Sequence, residues 1–281
     1  MTRIAVVAMG EMGSGIARRL VERGAEVKTS LAGRSEASAA RASAAGVAAT
    51  DDAALVADCE MLLSVVPPAV AGATAQRFLP LILKSANKPV FIDCNAIAPQ
   101  TVKAIAKPFV DMKLPFIDAS IIGAPPRPNG PSPRFYMSGA IGGEAEVLKQ
   151  LGLDTRVLSK NLGDASTLKM AYAGITKGFQ ALGSAMVLGA TRNGAADSLI
   201  AEMKSSLPQL HGWLVRMLPS MYDKAYRWDG EMREIAKFLL PEQGACDMLS
   251  GAADLYEHIA AANREGAQSE IIATLNRFVG G

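Results

Sequence analysis

A glycine-rich turn near the amino terminus has residue types and spacing suited to binding a dinucleotide. Ala8-Met9-Gly10-Glu11-Met12-Gly13 follows a β-branched run directly and opens an amphipathic segment. Gly10 lets the backbone approach a pyrophosphate, and Gly13 lets a helix pack closely on the preceding strand. The first amides of that helix, at Glu11 and Met12, can bind the anion. The motif predicts a nicotinamide dinucleotide site that includes Met9 to Gly13.

The segment after the second predicted strand carries a basic residue where NAD-selective domains carry an acidic one. Its sequence is Thr29-Ser30-Leu31-Ala32-Gly33-Arg34-Ser35, with no carboxylate. A guanidinium at Arg34 and a hydroxyl at Ser35 suit a ribose 2′-phosphate, because arginine pairs bidentately with phosphate. We therefore expect NADP rather than NAD. The alternative is that Arg34 is a solvated loop residue.

Two later segments follow predicted strands at the same carboxyl edge of the sheet. Val65 and Val66 end the third predicted strand and Pro67 follows it, and we expect all three to line the adenosine or ribose. Asn95 follows the next strand, and its amide can both donate and accept hydrogen bonds, to a substrate hydroxyl or to the nicotinamide amide. The alternative for Asn95 is a helix N-cap or turn residue before Pro99.

One lysine has a position suited to acid/base chemistry. On a helix, Lys169, Tyr172, Ala173 and Thr176 stand at i, i+3, i+4 and i+7 and share one face. If that face meets the nicotinamide end of a cofactor cleft, Lys169 can exchange the proton that a substrate oxygen gains or loses. The alternative is an ordinary surface lysine.

The surrounding elements predict an N-terminal Rossmann-type doubly wound parallel sheet followed by an all-α C-terminal domain. Short β-branched runs alternate with Ala-rich helical segments, the pattern of repeated βαβ units. No convincing β-run appears after Leu162, so we expect a dinucleotide-binding domain over 1–161 and a helical substrate and dimerisation domain over 162–281. The predicted strands are Ile4–Ala8, Glu26–Leu31, Met61–Val66, Val90–Asp93, Phe116–Asp118 and Phe135–Gly139. The predicted helices are Gly13–Arg23, Glu36–Ala44, Ala69–Leu83, Thr101–Met112 and Ala165–Arg192.

The long helix predicted over 165–192 is rich in small residues. Four glycines recur along it despite their cost to helix propensity, which indicates close helix–helix contact. They are Gly174, Gly178, Gly183 and Gly189. Such a helix leaves apolar surface that one small domain can hardly cover, so we expect a homodimer built through the helical domain.

Composition narrows the class of protein. The chain has 281 residues, 49% hydrophobic and 20% charged, with a formal net charge of +2 and no basic run. We therefore expect a folded protein that acts on a small molecule, with no nucleic acid or membrane partner. Three distant cysteines and the absence of a signal-peptide pattern favour the cytoplasm. Both histidines, His211 and His258, lie outside every motif, and no metal site is expected.

Four segments together resemble the β-hydroxyacid dehydrogenases, relatives of 6-phosphogluconate dehydrogenase. The glycine turn matches the family's dinucleotide motif, including Met12 before the last glycine. The others, in family order, are Asp93-Cys94-Asn95-Ala96-Ile97-Ala98-Pro99, Asp118-Ala119-Ser120-Ile121-Ile122-Gly123-Ala124 and Gly163-Asp164-Ala165-Ser166-Thr167-Leu168-Lys169. The resemblance covers about residues 1–190 and implies that Lys169 is the catalytic lysine, with Asn95, Ile122, Gly123 and Tyr172 towards the substrate.

This chain departs from the family pattern where the substrate would lie. Asn95 replaces a hydroxyl residue, Ile122 replaces serine, and Tyr172 and Ala173 replace asparagines. The residues of these segments are more similar to a branch of the family whose helical C-terminal domain has no assigned function. We expect an NADP-dependent oxidoreductase acting on a small alcohol/carbonyl pair such as a β-hydroxy acid. Two alternatives remain, an imine reductase, a family that usually lacks the lysine, and a non-catalytic NADP sensor.

Overall fold

The computed structural model describes residues 1–280, with only the backbone of Ala267. The chain divides into two compact units, Met1–Met170 and Ala171–Gly281. The prediction of a Rossmann-type sheet followed by a helical region is confirmed. The boundary expected at 161/162 stays a prediction.

The first unit is built around one eight-stranded sheet. The strands are β1 Arg3–Val7, β2 Glu26–Thr29, β3 Ala48–Ala49, β4 Met61–Ser64, β5 Val90–Asp93, β6 Phe116–Ile122, β7 Arg134–Gly139 and β8 Asp154–Ser159. Their order in the sheet is β3-β2-β1-β4-β5-β6-β7-β8. The first six are parallel, β7 is antiparallel to β6, and β8 is parallel to β7.

Helices cover both faces of this sheet, as in a doubly wound fold. They are α1 Glu11–Glu22, α2 Glu36–Ala44, α3 Asp52–Asp58, α4 Ala71–Lys84, α5 Pro99–Asp111 and α6 Glu144–Gln150. Ile16 of α1 and Leu148 of α6 belong to the hydrophobic core on one face. Phe78 of α4 and Phe109 of α5 belong to the core on the other. The central strands are buried on both sides, which explains their nearly continuous apolar sequences.

The sequence prediction missed four short elements and shortened one strand. β3 has two residues, and β8 is an edge strand with exposed side chains such as Val157, so neither has a strong apolar pattern. α3 and α6 have seven residues each, too few for a clear helical period. β6 continues to Ile122 beyond the predicted end at Asp118 because it pairs along its length with β7.

The second unit is helical. Helix α7, Asp164–Arg192, begins in the first unit and continues into the second. The remaining helices are α8 Ala196–Ser206, α9 Pro208–Met217, α10 Ala225–Phe238, α11 Gln243–Glu265 and α12 Glu270–Gly280. Lys177 of α7 forms an ion pair with Glu231 and lies 5.0 Å from the ring centroid of Trp228. The Tyr256 hydroxyl donates to the Lys177 carbonyl at 2.6 Å, so α10 and α11 are both held to α7.

Glycines allow close packing at two points of α7. A Cβ on Gly183 would lie 2.6 Å from Leu214 Cδ2, and one on Gly174 would lie 3.1 Å from Ile235 Cγ2. The close-packing prediction is confirmed at these two positions. At Gly189 a Cβ would meet nothing within 4 Å, so packing does not explain that glycine.

The exposed side of α7 within the second unit carries a row of large apolar side chains. Their exposed fractions run from 49% to 62%, and their spacing alternates between three and four residues. The members of this apolar row are Tyr172, Ile175, Phe179, Leu182 and Met186. Among the helices of residues 1–280, none has the length and apolar character that crossing a membrane requires.

Candidate cofactor and active site

The glycine turn has the close approach that its sequence predicts. A Cβ on Gly13 would lie 1.9 Å from the Ala8 carbonyl oxygen, so only glycine lets α1 pack this closely on the end of β1. Gly10 differs: its backbone is extended, and a Cβ there would meet nothing within 4 Å. The chain itself therefore does not require glycine at position 10. The space beside Gly10 and the first amides of α1 form a cradle that fits a pyrophosphate.

The carboxyl end of β2 brings hydroxyl and guanidinium groups together. A turn with Gly33 at φ +68° leads to Arg34, and Ser35 caps α2 by accepting from the Ser38 amide. The Ser35 and Ser38 hydroxyl oxygens lie 3.3 Å apart. This arrangement places Ser35 at a helix N-terminus, where an additional anion is also favoured.

Two further arginines lie near this end of the sheet. Arg41 of α2 donates from Nε to the Met9 carbonyl at 2.7 Å, which joins α2 to the glycine turn. Arg77 of α4 donates to Ser30 Oγ at 2.9 Å and forms an ion pair with Asp52. Neither arginine could be predicted to lie here, because each contact joins residues at least 25 positions apart along the chain.

Asn95 ties the ends of β4 and β5 together. Its Oδ1 accepts from the Val66 amide at 2.7 Å, and its Nδ2 donates to Ser64 Oγ at 3.1 Å. The side chain is buried, and the backbone amide of Asn95 donates to Asp93 Oδ1 at 3.0 Å. Asn95 therefore shapes the Val65-Val66-Pro67 segment directly. Its predicted contact with substrate or nicotinamide stays a prediction.

A buried polar row crosses four adjacent strands next to Asn95. Ser64, Asp93, Asp118 and Ser138 are direct register partners from β4 to β7. Each is at most 1% exposed. A row of polar side chains in an otherwise apolar layer is stable only if its hydrogen bonds are largely satisfied. We call these four residues the polar row.

Asp118 anchors the beginning of α7. Its carboxylate accepts from Ser138 Oγ at 3.0 Å, from the Ser166 amide at 3.0 Å and from Ser166 Oγ at 2.7 Å. Ser138 Oγ also accepts from the Ala165 amide. Burial raises the pKa of Asp118, and these hydrogen bonds oppose the increase. Since donors surround its oxygens, Asp118 is the member of the row suited to carry a negative charge.

Asp93 has the opposite environment. Its Oδ2 is buried with no hydrogen-bond partner in the described part of the chain. Burial, with a smaller contribution from the neighbouring Asp118, raises the pKa of Asp93 to about 7, although hydrogen bonds from Asn95 partly oppose the increase. Asp93 is therefore the carboxyl group that keeps its proton over the acidic range.

Lys169 lies against the second substrate segment. Its Nζ donates to the Ile121 carbonyl at 2.8 Å, so the lysine of the last motif and the strand of the preceding one meet. α7 is thus attached to two positions along β6: Ser166 bonds to Asp118, and Lys169 bonds to the Ile121 carbonyl. Tyr172, three residues later, is half-exposed and begins the apolar row.

A proline-rich loop follows Ile122 and Gly123 and packs on α1. Gly123 has φ +134°, and a Cβ there would lie 3.1 Å from Pro133, so the turn itself requires glycine. Arg19 is 8% exposed and donates to the carbonyls of Arg127 and Gly130 at 3.1 and 2.7 Å. Arg19 was not predicted from the sequence, although its position on the apolar face of a helix could have indicated a buried arginine with polar partners.

Thiol chemistry does not fit the two cysteines of the first unit, Cys59 and Cys94. All three cysteines are buried and free of disulfides. Burial raises the pKa of Cys59 to about 12 and that of Cys94 well above its usual range, which disfavours a thiolate nucleophile. Within residues 1–280, no group of three or more His, Cys, Asp or Glu side chains is arranged to hold a metal ion.

Two family models match this chain. Residues 3–151 match the NAD binding domain of 6-phosphogluconate dehydrogenase, and residues 190–259 match a domain of unknown function, DUF1932. A 28.5 kDa uncharacterised protein of Methanothermus fervidus is 27% identical over 262 residues, which cover 92% of this chain and 98% of the relative.

Solved structures share the fold over nearly the whole chain. A conserved protein of unknown function, described as structurally similar to 3-hydroxyacid dehydrogenases, has a TM-score of 0.69 at 28% identity and covers 94% of this chain and 99% of its own. The Mycobacterium tuberculosis 3-hydroxyisobutyrate dehydrogenase has a TM-score of 0.73 at 18% identity, covering 99% of each chain. An imine reductase from Myxococcus stipitatus with NADP+ has a TM-score of 0.54 at 16% identity, covering 99% and 100%. The last two likenesses show the fold alone.

Proposed function

This chain belongs to the family of the NAD-binding domain of 6-phosphogluconate dehydrogenase, and we propose that it is an NADP-dependent oxidoreductase of a small alcohol/carbonyl pair, in particular a β-hydroxy acid. The bond from Lys169 Nζ to the Ile121 carbonyl carries the proposal, because it puts a proton-exchanging group beside the segment proposed to meet the substrate. A bound nicotinamide dinucleotide supplies or accepts the hydride.

The residues proposed to hold the cofactor lie along the carboxyl ends of β1, β2 and β4. Met9 to Gly13 form the pyrophosphate cradle, Arg34 and Ser35 bind the 2′-phosphate, and Val65, Val66 and Pro67 line the ribose. Asn95 supports the last segment through its bond to the Val66 amide. The fit rests on the open space at Gly10, which no side chain of the turn fills.

Lys169 is the proposed acid/base. Its ammonium has three donors, of which the Ile121 carbonyl accepts one, so two remain for a substrate oxygen. In the oxidative direction its neutral amine accepts the hydroxyl proton, and in the reductive direction the ammonium returns it. Asn95, Ile122, Gly123 and Tyr172 are the proposed substrate contacts.

The retained lysine favours an alcohol/carbonyl pair over an imine. An absorbance screen at 340 nm with hydroxy acids, sugar acids and imines tests this assignment. Turnover of a hydroxy acid supports it, and turnover of imines alone supports the imine reductase. Tight NADP binding without turnover of any compound would favour the non-catalytic sensor.

Replacement of Arg34 by alanine is expected to weaken NADP binding by roughly 10- to 100-fold, because a charge-assisted phosphate contact is worth about 1.5–3 kcal/mol. NAD affinity should change little, since NAD has no 2′-phosphate. Calorimetric titration of both cofactors measures the effect, with Arg156→Ala on the edge strand β8 as a matched control. Equal affinity of the wild type for both cofactors would contradict the NADP preference.

We also propose a homodimer in which the apolar row of α7 packs against a second copy of the chain. The row runs from Tyr172 to Met186, a length of roughly 21 Å at about 1.5 Å per residue, and its three-four spacing is that of a helix–helix seam. Light scattering at micromolar concentration should give twice the chain mass, and Leu182→Glu should give a monomer. Met248→Glu, at a more exposed apolar position on α11, should remain dimeric. A monomeric wild type would contradict the proposal.

A further inference from the structure

The structure points to Arg41 as a second specificity-determining residue of the cofactor site. We propose that its guanidinium binds the 2′-phosphate of NADP together with Arg34. This inference rests on the proposed NADP-dependent function. It concerns a residue outside all four sequence motifs.

The position of Arg41 is fixed by two contacts. Nε donates to the Met9 carbonyl at 2.7 Å, and Nη2 lies 3.4 Å from Ser38 Oγ. Ser38 Oγ in turn lies 3.3 Å from Ser35 Oγ. Arg41 is therefore connected on one side to the pyrophosphate turn and on the other to the hydroxyl that follows Arg34. In NADP the adenosine ribose connects the pyrophosphate to the 2′-phosphate, so a guanidinium that contacts both the glycine turn and the Ser35–Ser38 hydroxyl pair is placed to reach that phosphate.

The charges at this place indicate an anionic ligand. In the part of the chain that the structure describes, neither Arg34 nor Arg41 lies within ion-pair distance of a carboxylate. Arg77 at the same end of β2 provides the contrast, since Asp52 neutralises it. Two uncompensated guanidinium groups and two hydroxyls match the charge and acceptor oxygens of a phosphate dianion. NAD has no group that would use them.

The Met9 contact orients Arg41 and is not required to hold the glycine turn. The turn has its own backbone bonds, from the Ser14 amide to the Gly10 carbonyl at 2.9 Å and from the Ala8 amide to the Val65 carbonyl at 3.4 Å. Loss of the Arg41 side chain should therefore remove a phosphate contact without opening the pyrophosphate cradle. This distinction separates a specificity role from a purely structural one.

The test compares cofactors with and without the 2′-phosphate on the full-length protein. Dissociation constants for NADP, NAD, adenosine 2′,5′-bisphosphate and AMP are measured by calorimetry. Arg41→Met should weaken NADP and the bisphosphate by roughly 10- to 100-fold and NAD and AMP by less than about threefold. Arg41→Lys keeps the charge but has no Nε donor for the Met9 carbonyl, so its effect should be intermediate. Arg156→Met, with unchanged affinities, is the control for loss of one positive charge.

Each contrary outcome has a separate meaning. Equal weakening of NADP and NAD by Arg41→Met, or no weakening of either, would overturn the specificity role of Arg41. A wild-type protein that binds NAD as tightly as NADP contradicts the proposed cofactor preference itself. Circular dichroism of each variant confirms folding, and Arg41→Lys provides the measurement if the methionine variant does not fold.

Discussion

Replacement of Lys169 by alanine is expected to lower kcat by roughly 10²- to 10⁴-fold while NADP affinity stays nearly unchanged, the usual effect of removing a positioned acid/base. The geometric reason is its bond to the Ile121 carbonyl, which holds Nζ beside the proposed substrate segment. Steady-state kinetics with the substrate found by absorbance screening give kcat, and calorimetry gives the NADP dissociation constant.

The arginine variant separates proton transfer from positive charge. Lys169→Arg keeps the charge, but a guanidinium does not release its proton near neutral pH, so it too should lose activity. Lys149→Ala on α6, an exposed lysine of the same unit, should behave like the wild type. An alanine variant of Lys169 that keeps more than about a tenth of wild-type kcat would remove Lys169 from the mechanism and leave Tyr172 as the next candidate.

Replacement of Asp93 by asparagine is expected to change the pH dependence of stability. In the unfolded chain this carboxyl titrates near 3.8, whereas burial in the polar row raises its pKa to about 7. Between these values the folded state binds more protons than the unfolded state, so the free energy of unfolding of the wild type falls as pH rises from about 4 to about 7. Above pH 7 this contribution is constant.

Asparagine has nearly the same shape as aspartic acid and does not ionise, so the variant should not show this fall in the free energy of unfolding. Relative to its value at pH 4, the stability difference between Asp93→Asn and the wild type should increase in favour of the variant by at most about 4 kcal/mol at pH 8. Urea unfolding followed by circular dichroism measures both proteins at pH 4, 6 and 8. Asp111→Asn, an exposed carboxyl on α5, is the control. A stability difference that is the same at all three pH values would contradict the titration of Asp93.

Much of the first unit could be predicted from local sequence. The bounds of β5 and α2 agree with prediction, because each is a regular run between clear turn residues. Gly13 was predicted to allow close packing, and its Cβ would indeed collide with Ala8. The family resemblance implied that Ile122 and Lys169 serve one substrate site, which stays a prediction, and the bond from Lys169 to Ile121 shows that the two segments are in contact.

The polar connections between elements could not be predicted in this way. Ser166 and Asp118 are 48 positions apart, and Arg41 and Met9 are 32 positions apart. No period or spacing in one sequence indicates which distant polar groups pair, since pairing depends on strand order and register. For the same reason the contacts of Arg19 could not be predicted, since its three carbonyl acceptors belong to two loops distant in sequence.

The reversal of the last two strands determines where α7, the helix that carries Lys169, can start. In a purely parallel sheet, a helix that follows a strand begins at the carboxyl edge and runs away from the ligand site. Here β7 and β8 run against the first six strands, so the chain leaves β8 at the opposite edge, and α7 then ascends past Asp118 to Ile121. Because the strand that precedes it is reversed, α7 runs towards the carboxyl edge of the first six strands rather than away from it. The two reversed strands therefore bring Lys169 to the segment proposed to meet the substrate.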